Sequence, residues 1–415
     1  MTILQFLLLT FAVILTVTLV LVAVLIYAKA RLIPGGKVNI KVNDEKMMEV
    51  EPGNNLLTTL AQNKIYLPSA CGGSGTCGLC KCRVITGGGS ILSTETGFFT
   101  RREQQSQWRL GCQVKVRENM EIRIPAQVLG VKKWECEVIS NRNVASFIKE
   151  FVIQLPPGEN LDFRSGGYVQ IDVPPVTVVF SKDILIDEPF REDWGSLRIG
   201  ELKMVNKEYT FRAYSMANHP AEGNRIMLNI RIATPPWDRS RGTFMRVNPG
   251  ICSSYIFSRK PGDKVMISGP FGEFFLKETQ VEKIFIGGGA GMAPMRSHIF
   301  HLFKTLRTTE RVSFWYGARS RREIFYEDEF LRIEKEFPNF SFHIALSEPK
   351  PQDNWTGHTG FIHNVLYDQY LKDHPEPEEA EYYICGPPLM TSAVTGMLDN
   401  LGVPADHILF DDFGG

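Results

Sequence analysis

The sequence lacks an excess of charge of either sign, since 46 basic side chains balance 46 acidic ones among 415 residues. Proteins that bind nucleic acid or an anionic lipid surface usually carry a clear basic excess. We therefore expect no nucleic-acid partner and no polybasic membrane contact. The length alone favours about three domains.

Cysteine is also scarce, with eight residues in the whole chain. A domain held together by disulfides would need a much higher density of cysteine. Several of the eight lie close to one loop, which is typical of metal ligation in a reducing compartment.

Charge is absent from the stretch between Ile3 and Tyr27. As a helix this run would be about 37 Å long, enough to cross a hydrocarbon core of about 30 Å. A cleaved signal peptide is the alternative, because Ala28-Lys29-Ala30 resembles a cleavage site. No basic side chain precedes the run, however, and the run is longer than the apolar part of a signal peptide. We expect a single transmembrane helix.

Basic residues after this run predict its orientation. The cytoplasmic flanks of membrane helices are enriched in lysine and arginine. We therefore expect everything after the helix to face the cytoplasm. The flanking residues are Lys29, Arg31 and Lys37.

Three cysteines with the spacing C-x5-C-x2-C form the most informative motif, and a fourth cysteine follows downstream. Thiolates are strong, soft ligands for iron, and four of them complete an iron–sulfur cluster. Zinc and disulfides are the alternatives, although zinc knuckles usually pair two C-x2-C units. Cys82 is expected to be a packed thiol on a strand. The predicted cluster ligands are Cys71, Cys77, Cys80 and Cys112.

The stretch from Lys37 to Pro125 resembles plant-type 2Fe–2S ferredoxins of the β-grasp fold. Their pattern is C-x4-C-x2-C with a distant fourth cysteine, so this loop departs from it by one residue in the first gap. Alternation predicts strands at Val38–Val42 and Met47–Val50, and helical spacing predicts a short helix within Asn54–Lys64. Further strands are expected at Lys81–Ile85 and Gln113–Ile124.

Many short alternating segments follow, and they favour an antiparallel barrel. A connection of nearly forty residues, rich in acidic side chains, interrupts them between Val173 and Arg212. Such a long connection is usually functional or disordered, and we favour a docking element for a partner. The predicted barrel strands are Glu135–Asn141, Ile148–Leu155, Tyr168–Val173, Arg212–Met216 and Met227–Ala233.

From Lys283 onward, short apolar strands alternate with helices, which predicts a parallel sheet with right-handed crossovers. The predicted strands of this sheet are Ile284–Ile286, Val312–Tyr316, Ser341–Leu346 and Tyr382–Cys385. The predicted helices are His298–Lys304, Phe325–Glu336 and Met390–Leu398.

The tetrapeptide Arg212-Ala213-Tyr214-Ser215 lies on a predicted barrel strand, where alternation places Arg212 and Tyr214 on one face. A guanidinium can pair with a diphosphate, and a phenol can lie against a flat heterocycle. An ordinary half-buried arginine and tyrosine are the alternative interpretation. Farther along, Gly250, Cys252 and Ser253 precede an apolar run that could open a helix, where backbone N–H groups bind phosphate.

Residues 287–295 read G-G-G-A-G-M-A-P-M after a strand and before a helix. This pattern is typical of a backbone cradle for a diphosphate. Residues 385–390 read C-G-P-P-L-M at the end of another strand, and their cysteine could also be a buried strand residue. The candidate cofactor-binding residues here are Gly287, Gly289, Gly291, Pro294, Gly386 and Pro387.

In this order the motifs resemble the ferredoxin–NADP reductase superfamily. The resemblance implies that Arg212 contacts the FAD phosphates, that Tyr214 lies beside the flavin and that Ser215 hydrogen-bonds near flavin N5. It assigns Gly250, Cys252 and Ser253 to the pyrophosphate loop. The residues to which it gives a catalytic role beside flavin and nicotinamide are Ser215, Cys385 and the C-terminal aromatic residue Phe413.

Nucleotide preference stays open at this point. Arg319, Arg321 and Arg322 follow the second strand of the nucleotide-binding part and could hold a 2′-phosphate. Ordinary surface charges are the alternative. Both NADH and NADPH are therefore compatible with the residues themselves.

The order of membrane helix, ferredoxin, FAD barrel and nucleotide domain, together with the x5 gap and the F-G-G ending, resembles the F subunits of the sodium-translocating NADH:quinone oxidoreductase family. The resemblance implies a chain that takes hydride from NADH onto FAD and passes electrons singly to a 2Fe–2S cluster. Other subunits of the complex, in a bacterial inner membrane, would then reduce quinone with sodium translocation. A membrane-tethered reductase for an oxygenase and a non-enzymatic iron–sulfur scaffold stay open as alternatives.

The expected fold class is a multidomain α+β and α/β chain with an N-terminal transmembrane helix. We expect a membrane helix with its flank over 1–33, a β-grasp ferredoxin domain over 34–126 and an antiparallel FAD-binding barrel over 127–281. A parallel-sheet NADH-binding domain would then cover 282–415.

Overall fold

The computed structural model describes residues 3–32 and 36–411 of the chain. The chain divides into two compact units, which are considered separately. The first comprises Met1–Ser69 with Gly73–Gly130, and the second comprises Ala70–Gly72 with Val131–Gly415.

Helix α1 (Ile3–Leu32) opens the first unit. Its segment Leu7–Tyr27 has a mean hydropathy of 3.0 and is long and apolar enough to cross a membrane. None of this segment is buried inside the protein. Such exposure suits a helix that lies in lipid, because apolar side chains around its whole circumference find an apolar environment there.

The remainder of the first unit is a small mixed sheet with short helices. Its described elements are β1 (Val38–Val42), β2 (Lys46–Val50), α2 (Leu56–Gln62), β3 (Lys81–Thr86), α3 (Ser93–Thr96), α4 (Arg101–Gln105), β4 (Trp108–Leu110), β5 (Met120–Arg123) and α5 (Ala126–Leu129). The strands are ordered β2-β1-β5-β3-β4. β1 pairs antiparallel with β2 and parallel with β5. Helix α2 is capped by Asn55, whose Oδ1 accepts a hydrogen bond from the backbone N–H of Thr58 at 2.8 Å.

A buried ion pair lies inside this first unit. Arg109 Nη2 is 2.8 Å from Oε2 of Glu95, and neither side chain is more than 6% exposed. Arg109 also donates to the carbonyl oxygen of Gly88 at 2.7 Å, and Glu95 accepts from the backbone N–H of Leu110 at 2.9 Å. Additional hydrogen bonds of this kind offset the cost of removing two charges from water. The pair therefore holds β4 in place just before Cys112.

The first part of the second unit is an antiparallel sheet with a folded excursion. Its described elements are β6 (Lys132–Ala145), β7 (Ile148–Gln154), β8 (Tyr168–Val173), β9 (Val176–Val179), α6 (Phe180–Asp183), α7 (Arg191–Ser196), β10 (Lys203–Asn206), β11 (Thr210–Ser215), β12 (Arg225–Arg231), β13 (Trp237–Asp238), β14 (Thr243–Phe244), α8 (Ile251–Phe257) and β15 (Lys264–Phe271).

Six of these strands form a sheet in the order β11-β8-β15-β6-β7-β12. A bridge between Met216, just after β11, and Leu228 of β12 joins the two edge strands. The backbone N–H of Ala217 also donates to the carbonyl oxygen of Met227 at 2.7 Å. The edges therefore meet, and the sheet is arranged as a barrel around an apolar interior that includes the fully buried Phe151.

The long connection between β8 and β11 is folded. β9 and β10 pair antiparallel, and Trp194 of α7 packs into the barrel core. Trp194 Nε1 donates to the carbonyl oxygen of Ser146 at 2.6 Å. The buried Lys149 of β7 donates to the carbonyl oxygen of Leu185 at 2.7 Å, and burial lowers the pKa of Lys149 to about 8 against the opposing charge of Asp187. The partner-docking role that we favoured for this connection stays a prediction.

The second part of this unit alternates strands and helices. Its described elements are β16 (Lys283–Gly288), α9 (Met292–Phe300), β17 (Val312–Ala318), α10 (Glu327–Glu336), β18 (Phe340–Leu346), β19 (His358–Thr359), α11 (Ile362–Gln369), β20 (Glu381–Cys385), α12 (Pro388–Asn400) and β21 (Ile408–Asp411). The strands are all parallel, in the order β19-β18-β17-β16-β20-β21. From β16 the chain adds β17, β18 and β19 on one side, and it then returns to add β20 and β21 on the other side of β16. The direction in which strands are added therefore reverses between β16 and β20. In open α/β sheets, ligands bind outside the carboxyl ends of the strands at such a point.

The expected fold class is confirmed, with local corrections. We predicted a strand over Gln113–Ile124, but only the short strand β5 forms there. The residues before β5 instead run beside α2, where the N–H of Leu56 donates to the carbonyl oxygen of Val114. Our predictions also omitted β15 and the last strand β21. The predicted domain boundaries stay predictions.

We predict that Trp194→Ala destabilises the second unit, because Trp194 is 6% exposed and packs on the ring of Phe257 at 6.0 Å. Deleting a buried tryptophan side chain typically costs about 3–5 kcal/mol. The measurement is the thermal unfolding midpoint of the purified chain. Leu185→Ala, in the same connection but with a side chain 62% exposed, is the matched control and should change stability by less than about 0.5 kcal/mol. Equal midpoints for the two variants would contradict a packed connection.

Candidate functional site

Two of the four predicted cluster ligands lie side by side. The backbone N–H of Gly111 donates to the carbonyl oxygen of Cys80 at 2.8 Å, which brings Cys112 next to Cys80. The pKa of Cys80 is raised mainly by two effects. The larger is its hydrogen bond with the Cys112 thiol, and the smaller is burial. Both thiols are buried, whereas Cys71 and Cys77 are half-buried.

Glycines fold the cysteine loop closely over this pair. Gly73 has φ +92°, and a Cβ there would lie 3.3 Å from a methyl carbon of Leu57 and 3.8 Å from Cβ of Cys112. A Cβ on Gly75 would lie 2.5 Å from Nε2 of Gln113. The loop conformation therefore requires glycine. Paired soft thiols beneath a glycine-rich loop within the first unit fit iron–sulfur ligation.

The described part of the chain contains no group of three or more cysteine, histidine or acidic side chains close enough together to hold a metal ion. Within the first unit the structure brings Cys80 and Cys112 together. Cys82 is fully buried on β3, and burial raises its pKa to about 12, as expected of a packed thiol. Burial likewise raises the pKa of Cys136 to about 12.

The tetrapeptide at residues 212–215 lies on β11, as the sequence predicts. Arg212 Nη1 donates to the carbonyl oxygen of Phe211 at 2.7 Å, and Tyr214 packs against the barrel core. Burial raises the pKa of Cys252 to about 12, and the nearby charge of Arg212 opposes this shift. Burial raises the pKa of Tyr214, and the neighbouring thiol of Cys252 raises it further. Arg212, Tyr214 and Cys252 therefore share one region of the barrel.

Gly250 and Ser253 shape the start of α8. The backbone N–H of Gly250 donates to the carbonyl oxygen of Ala233 at 2.8 Å, and a Cβ on Gly250 would lie 2.5 Å from Cβ of Ala233. Ser253 Oγ accepts from the N–H of Ala233 at 3.1 Å and donates to the carbonyl oxygen of Gly250 at 3.2 Å. These contacts show that both residues hold the turn together.

The glycine-rich loop joins β16 to α9. Gly289 has φ +57°, and a Cβ on Gly287 would lie 3.0 Å from the ring of Phe314. A Cβ on Gly291 would lie only 2.0 Å from the carbonyl oxygen of Cys385. Only glycine lets the start of α9 approach the carboxyl end of β20 so closely. Pro294 is buried in the first turn of α9, where a missing N–H costs no helical hydrogen bond.

The C-G-P-P segment lies at the carboxyl end of β20. Cys385 is fully buried, and its Sγ lies 3.7 Å from the carbonyl oxygen of Asp411. Gly386 packs against Met390, and Pro387 caps α12. The segment therefore lies on the same edge of the sheet as the glycine-rich loop.

Asp411 is the residue that our sequence interpretation missed. Its Oδ2 accepts a hydrogen bond from Oγ of the buried Ser215 at 2.6 Å. Asp411 thus lies against both Ser215 of the barrel and Cys385 of the parallel sheet. Our sequence interpretation assigned only Phe413 of the C-terminal tail to the site, although the apolar run before Asp411 could have indicated the strand β21. Phe413 lies outside the described residues.

The three arginines after β17 are each paired with a carboxylate. Arg319 Nη2 lies 2.9 Å from Glu348, and Arg321 Nη2 lies 3.2 Å from Glu327. Arg322 Nη1 lies 3.0 Å from Asp193 of the folded connection. Their charges are therefore balanced within the protein.

Three family models match consecutive parts of the chain. A 2Fe–2S iron–sulfur cluster binding domain matches residues 40–117, an oxidoreductase FAD-binding domain matches 196–276, and an oxidoreductase NAD-binding domain matches 285–396. The fold and these domains define an iron–sulfur flavoprotein oxidoreductase, with FAD and a 2Fe–2S cluster as cofactors and NADH as substrate.

Curated relatives cover almost the whole chain. The F subunit of the Na(+)-translocating NADH-quinone reductase of Methylococcus capsulatus is 55% identical over 399 residues, covering 96% of this chain and 97% of the relative. The protein of the same description in Klebsiella pneumoniae subsp. pneumoniae is 54% identical over 401 residues, with coverages of 96% and 97%. The chain belongs to this family of F subunits.

Solved structures share the fold at low identity. A cytochrome P450 reductase, GcoB, of Amycolatopsis superposes with a TM-score of 0.61 at 21% identity, covering 91% of this chain and 98% of the other. A ferredoxin reductase in carbazole 1,9a-dioxygenase superposes with a TM-score of 0.58 at 23% identity, with the same coverages. These similarities concern the fold alone.

We predict that Gly291→Ala weakens NADH binding by tenfold or more, a loss of about 1.4 kcal/mol, because the added methyl group forces α9 away from β20. The measurement is NADH affinity by titration, with FAD content determined in parallel. Gly396→Ala, on the exposed face of α12 with nothing within 4 Å of the new Cβ, is the matched control and should leave affinity unchanged. Wild-type affinity in Gly291→Ala would show that this close approach does not shape the nucleotide site.

Proposed function

We propose that the chain is the electron-input subunit of a membrane-bound NADH:quinone oxidoreductase that couples electron transfer to sodium translocation. In this proposal it takes electrons from NADH and passes them through its cluster to other subunits and finally to quinone. The observation that carries the proposal is the convergence of Ser215, Cys385 and Asp411 between the flavin-binding barrel and the nucleotide-binding sheet.

The cofactors supply the redox chemistry. When bound, FAD accepts hydride as a two-electron unit and the 2Fe–2S centre carries one electron at a time. The protein supplies binding, orientation and electrostatics. We assign the cluster to Cys71, Cys77, Cys80 and Cys112.

The barrel residues hold the flavin in this proposal. The guanidinium of Arg212 would offset phosphate charge, and Tyr214 would pack beside the ring system. Gly250, Cys252 and Ser253 would bind the diphosphate at their turn. Contacts within the protein preorganise this turn, which supports its role as a fixed backbone cradle.

The nucleotide-binding residues lie at the reversal of the parallel sheet. Gly287, Gly289, Gly291 and Pro294 present backbone to the diphosphate of NADH. By the family resemblance, Cys385, Gly386 and Pro387 would bind near the nicotinamide, and Phe413, outside the described residues, would cover the flavin in the absence of NADH.

Asp411 orients Ser215 in this proposal. A hydroxyl whose hydrogen is directed to a carboxylate presents only lone pairs to its other neighbours. The lone pairs of Ser215 would then be available to the N–H group that flavin carries at N5 only in its reduced form. Asp411 acts through Ser215 as a positioning residue.

The membrane arrangement follows from α1 and its flank. We propose that the helix anchors the protein in a bacterial inner membrane with the soluble units in the cytoplasm, and the basic residues after the helix support this orientation. Protection of the soluble units from protease in inside-out vesicles would contradict this orientation.

Cysteine substitution tests the electron path. We predict that Cys77→Ala keeps NADH oxidation with an artificial dye, which needs only the flavin, and abolishes quinone reduction by the membrane complex. Cys82→Ala removes a buried neighbouring thiol outside the predicted ligand set and should keep both activities. Quinone reduction that survives Cys77→Ala would place the cluster off the path.

Substitution of Asp411 tests the orientation of Ser215. We predict that Asp411→Asn lowers the rate of flavin reduction by NADH about tenfold, because the amide can donate to Ser215 and reverse its hydrogen bond. The rate is measured by rapid mixing, with FAD content and NADH affinity expected to stay near wild type. Asp399→Asn, on the exposed end of α12, is the control. A tenfold loss of FAD with no change in rate would assign Asp411 to cofactor retention instead.

A further inference from the structure

A buried arginine joins the barrel to the nucleotide-binding sheet. Arg296 lies on α9, two residues after Pro294, and is 5% exposed. Its guanidinium makes hydrogen bonds with groups on both sides of the junction. A buried charge needs such complete pairing, since an unpaired one would be strongly destabilising.

The barrel side of the junction is the turn that follows β11. Arg296 Nη1 donates to the carbonyl oxygen of Ala217 at 2.9 Å, and its Nη1 and Nη2 pair with the two carboxylate oxygens of Glu222 at 2.9 and 2.8 Å. The neighbouring Ser297 donates to the carbonyl oxygen of Asn218 at 2.9 Å. Ala217 is only two residues from Ser215, so these bonds grip the turn next to the proposed flavin contact.

Glu222 is ionised in this setting. Burial opposes its charged form, but hydrogen bonds from His219 and Arg296 outweigh burial and lower its pKa to about 2. The pairing with Arg296 is therefore a bidentate one between full charges at neutral pH, the strongest and most directional form of such a contact.

The nucleotide-binding side is closed by α10. Arg296 Nε and Nη2 donate to Oε2 of Glu329 at 3.0 and 2.8 Å. The guanidinium also lies 4.2 Å from the ring centre of Phe300 and 5.4 Å from that of Tyr326. These contacts hold the Arg296 side chain in one orientation within the nucleotide-binding part. Its Nη1 and Nη2 atoms are thereby directed to the barrel.

We propose that Arg296, through Glu222 and the carbonyl oxygen of Ala217, is a positioning residue that sets the spacing between Ser215 and the glycine-rich loop at 287–291. The proposal rests on the proposed function, since it assigns the two ends of this span to flavin and NADH. Hydride transfer requires donor and acceptor within a narrow range of distance and orientation, and a displacement of about 1 Å can lower a rate about 100-fold. The bidentate contact of Arg296 with Glu222 joins the barrel to the nucleotide-binding sheet and therefore limits that displacement.

The two carboxylate partners provide a matched pair of variants. Glu222→Gln weakens the bond that crosses the junction, whereas Glu329→Gln weakens a bond within the nucleotide-binding part. The two side chains have similar exposure, 29% and 26%, and each lies 2.8 Å from the same nitrogen of Arg296. They occupy opposite sides of the junction, and Glu222 also accepts a hydrogen bond from the backbone N–H of His219 at 2.9 Å.

We expect Glu222→Gln to lower the rate of flavin reduction by NADH about tenfold or more, and Glu329→Gln to stay within about twofold of wild type. The purified full-length, FAD-loaded chain is used, and the isotope effect with 4-deuterated NADH verifies that the measured step is hydride transfer. FAD content should match wild type in both variants. Arg296→Lys, which keeps the charge but loses the fork, should resemble Glu222→Gln.

Hydrogen exchange provides a readout that is independent of activity. The backbone amides of Ala217 and Asn218 should exchange faster in Glu222→Gln than in Glu329→Gln, because only the first variant loosens the turn from α9. His219 is left out of the comparison, since its N–H donates directly to Glu222. Equal rates of flavin reduction in the two glutamine variants would overturn the proposal. So would a lower melting temperature in Glu222→Gln without slower hydride transfer.

Flavin reduction in the wild-type chain distinguishes a failure of the proposed function from a failure of the proposed role of Arg296. If NADH fails to reduce its flavin, the proposed function fails and the hydrogen-exchange comparison alone judges the role of Arg296. If NADH reduces the wild-type flavin and the variants do not differ, the positioning role fails while the proposed function stands.

Discussion

The contact between Ser215 and Asp411 is the constraint on which the candidate site depends. These residues are far apart in sequence and come from different layers, the closing strand of the barrel and the last strand of the parallel sheet. A hydrogen bond of 2.6 Å between them requires both layers to be built and correctly placed. The barrel closure at Met216 and Leu228 fixes one end, and the pairing of β20 with β21 fixes the other.

Glycine determines how closely the layers approach. Gly291 allows the backbone of α9 to lie against the carbonyl group of Cys385, and this approach brings the glycine-rich loop and the C-G-P-P segment onto one edge. The winding of the sheet reverses at the same place, which is where open α/β sheets bind their ligands. The ion pair of Arg322 with Asp193 joins this part of the unit to the folded connection.

Much of this organisation could be predicted from the sequence. Period-two alternation located β1, β8 and β11, and the glycine-rich loop located the junction of β16 with α9. Asp411 could not be predicted as a site residue, because its partner Ser215 is brought to it only by tertiary packing. The same holds for Arg296 and Glu222, since local patterns say nothing about which buried charges face each other. The alternation over Gln113–Ile124 was misleading because residues that pack on α2 alternate without forming a continuous strand.

Burial of Cys136 and Cys252 has a chemical consequence. Burial raises the pKa of each thiol to about 12, so both thiols stay protonated at neutral pH. Peroxide attacks the thiolate form, so both sulfur atoms are poor targets for oxidation. A chain that binds flavin and an iron–sulfur cluster thus keeps two of its sulfur atoms in a form that oxidants do not readily modify.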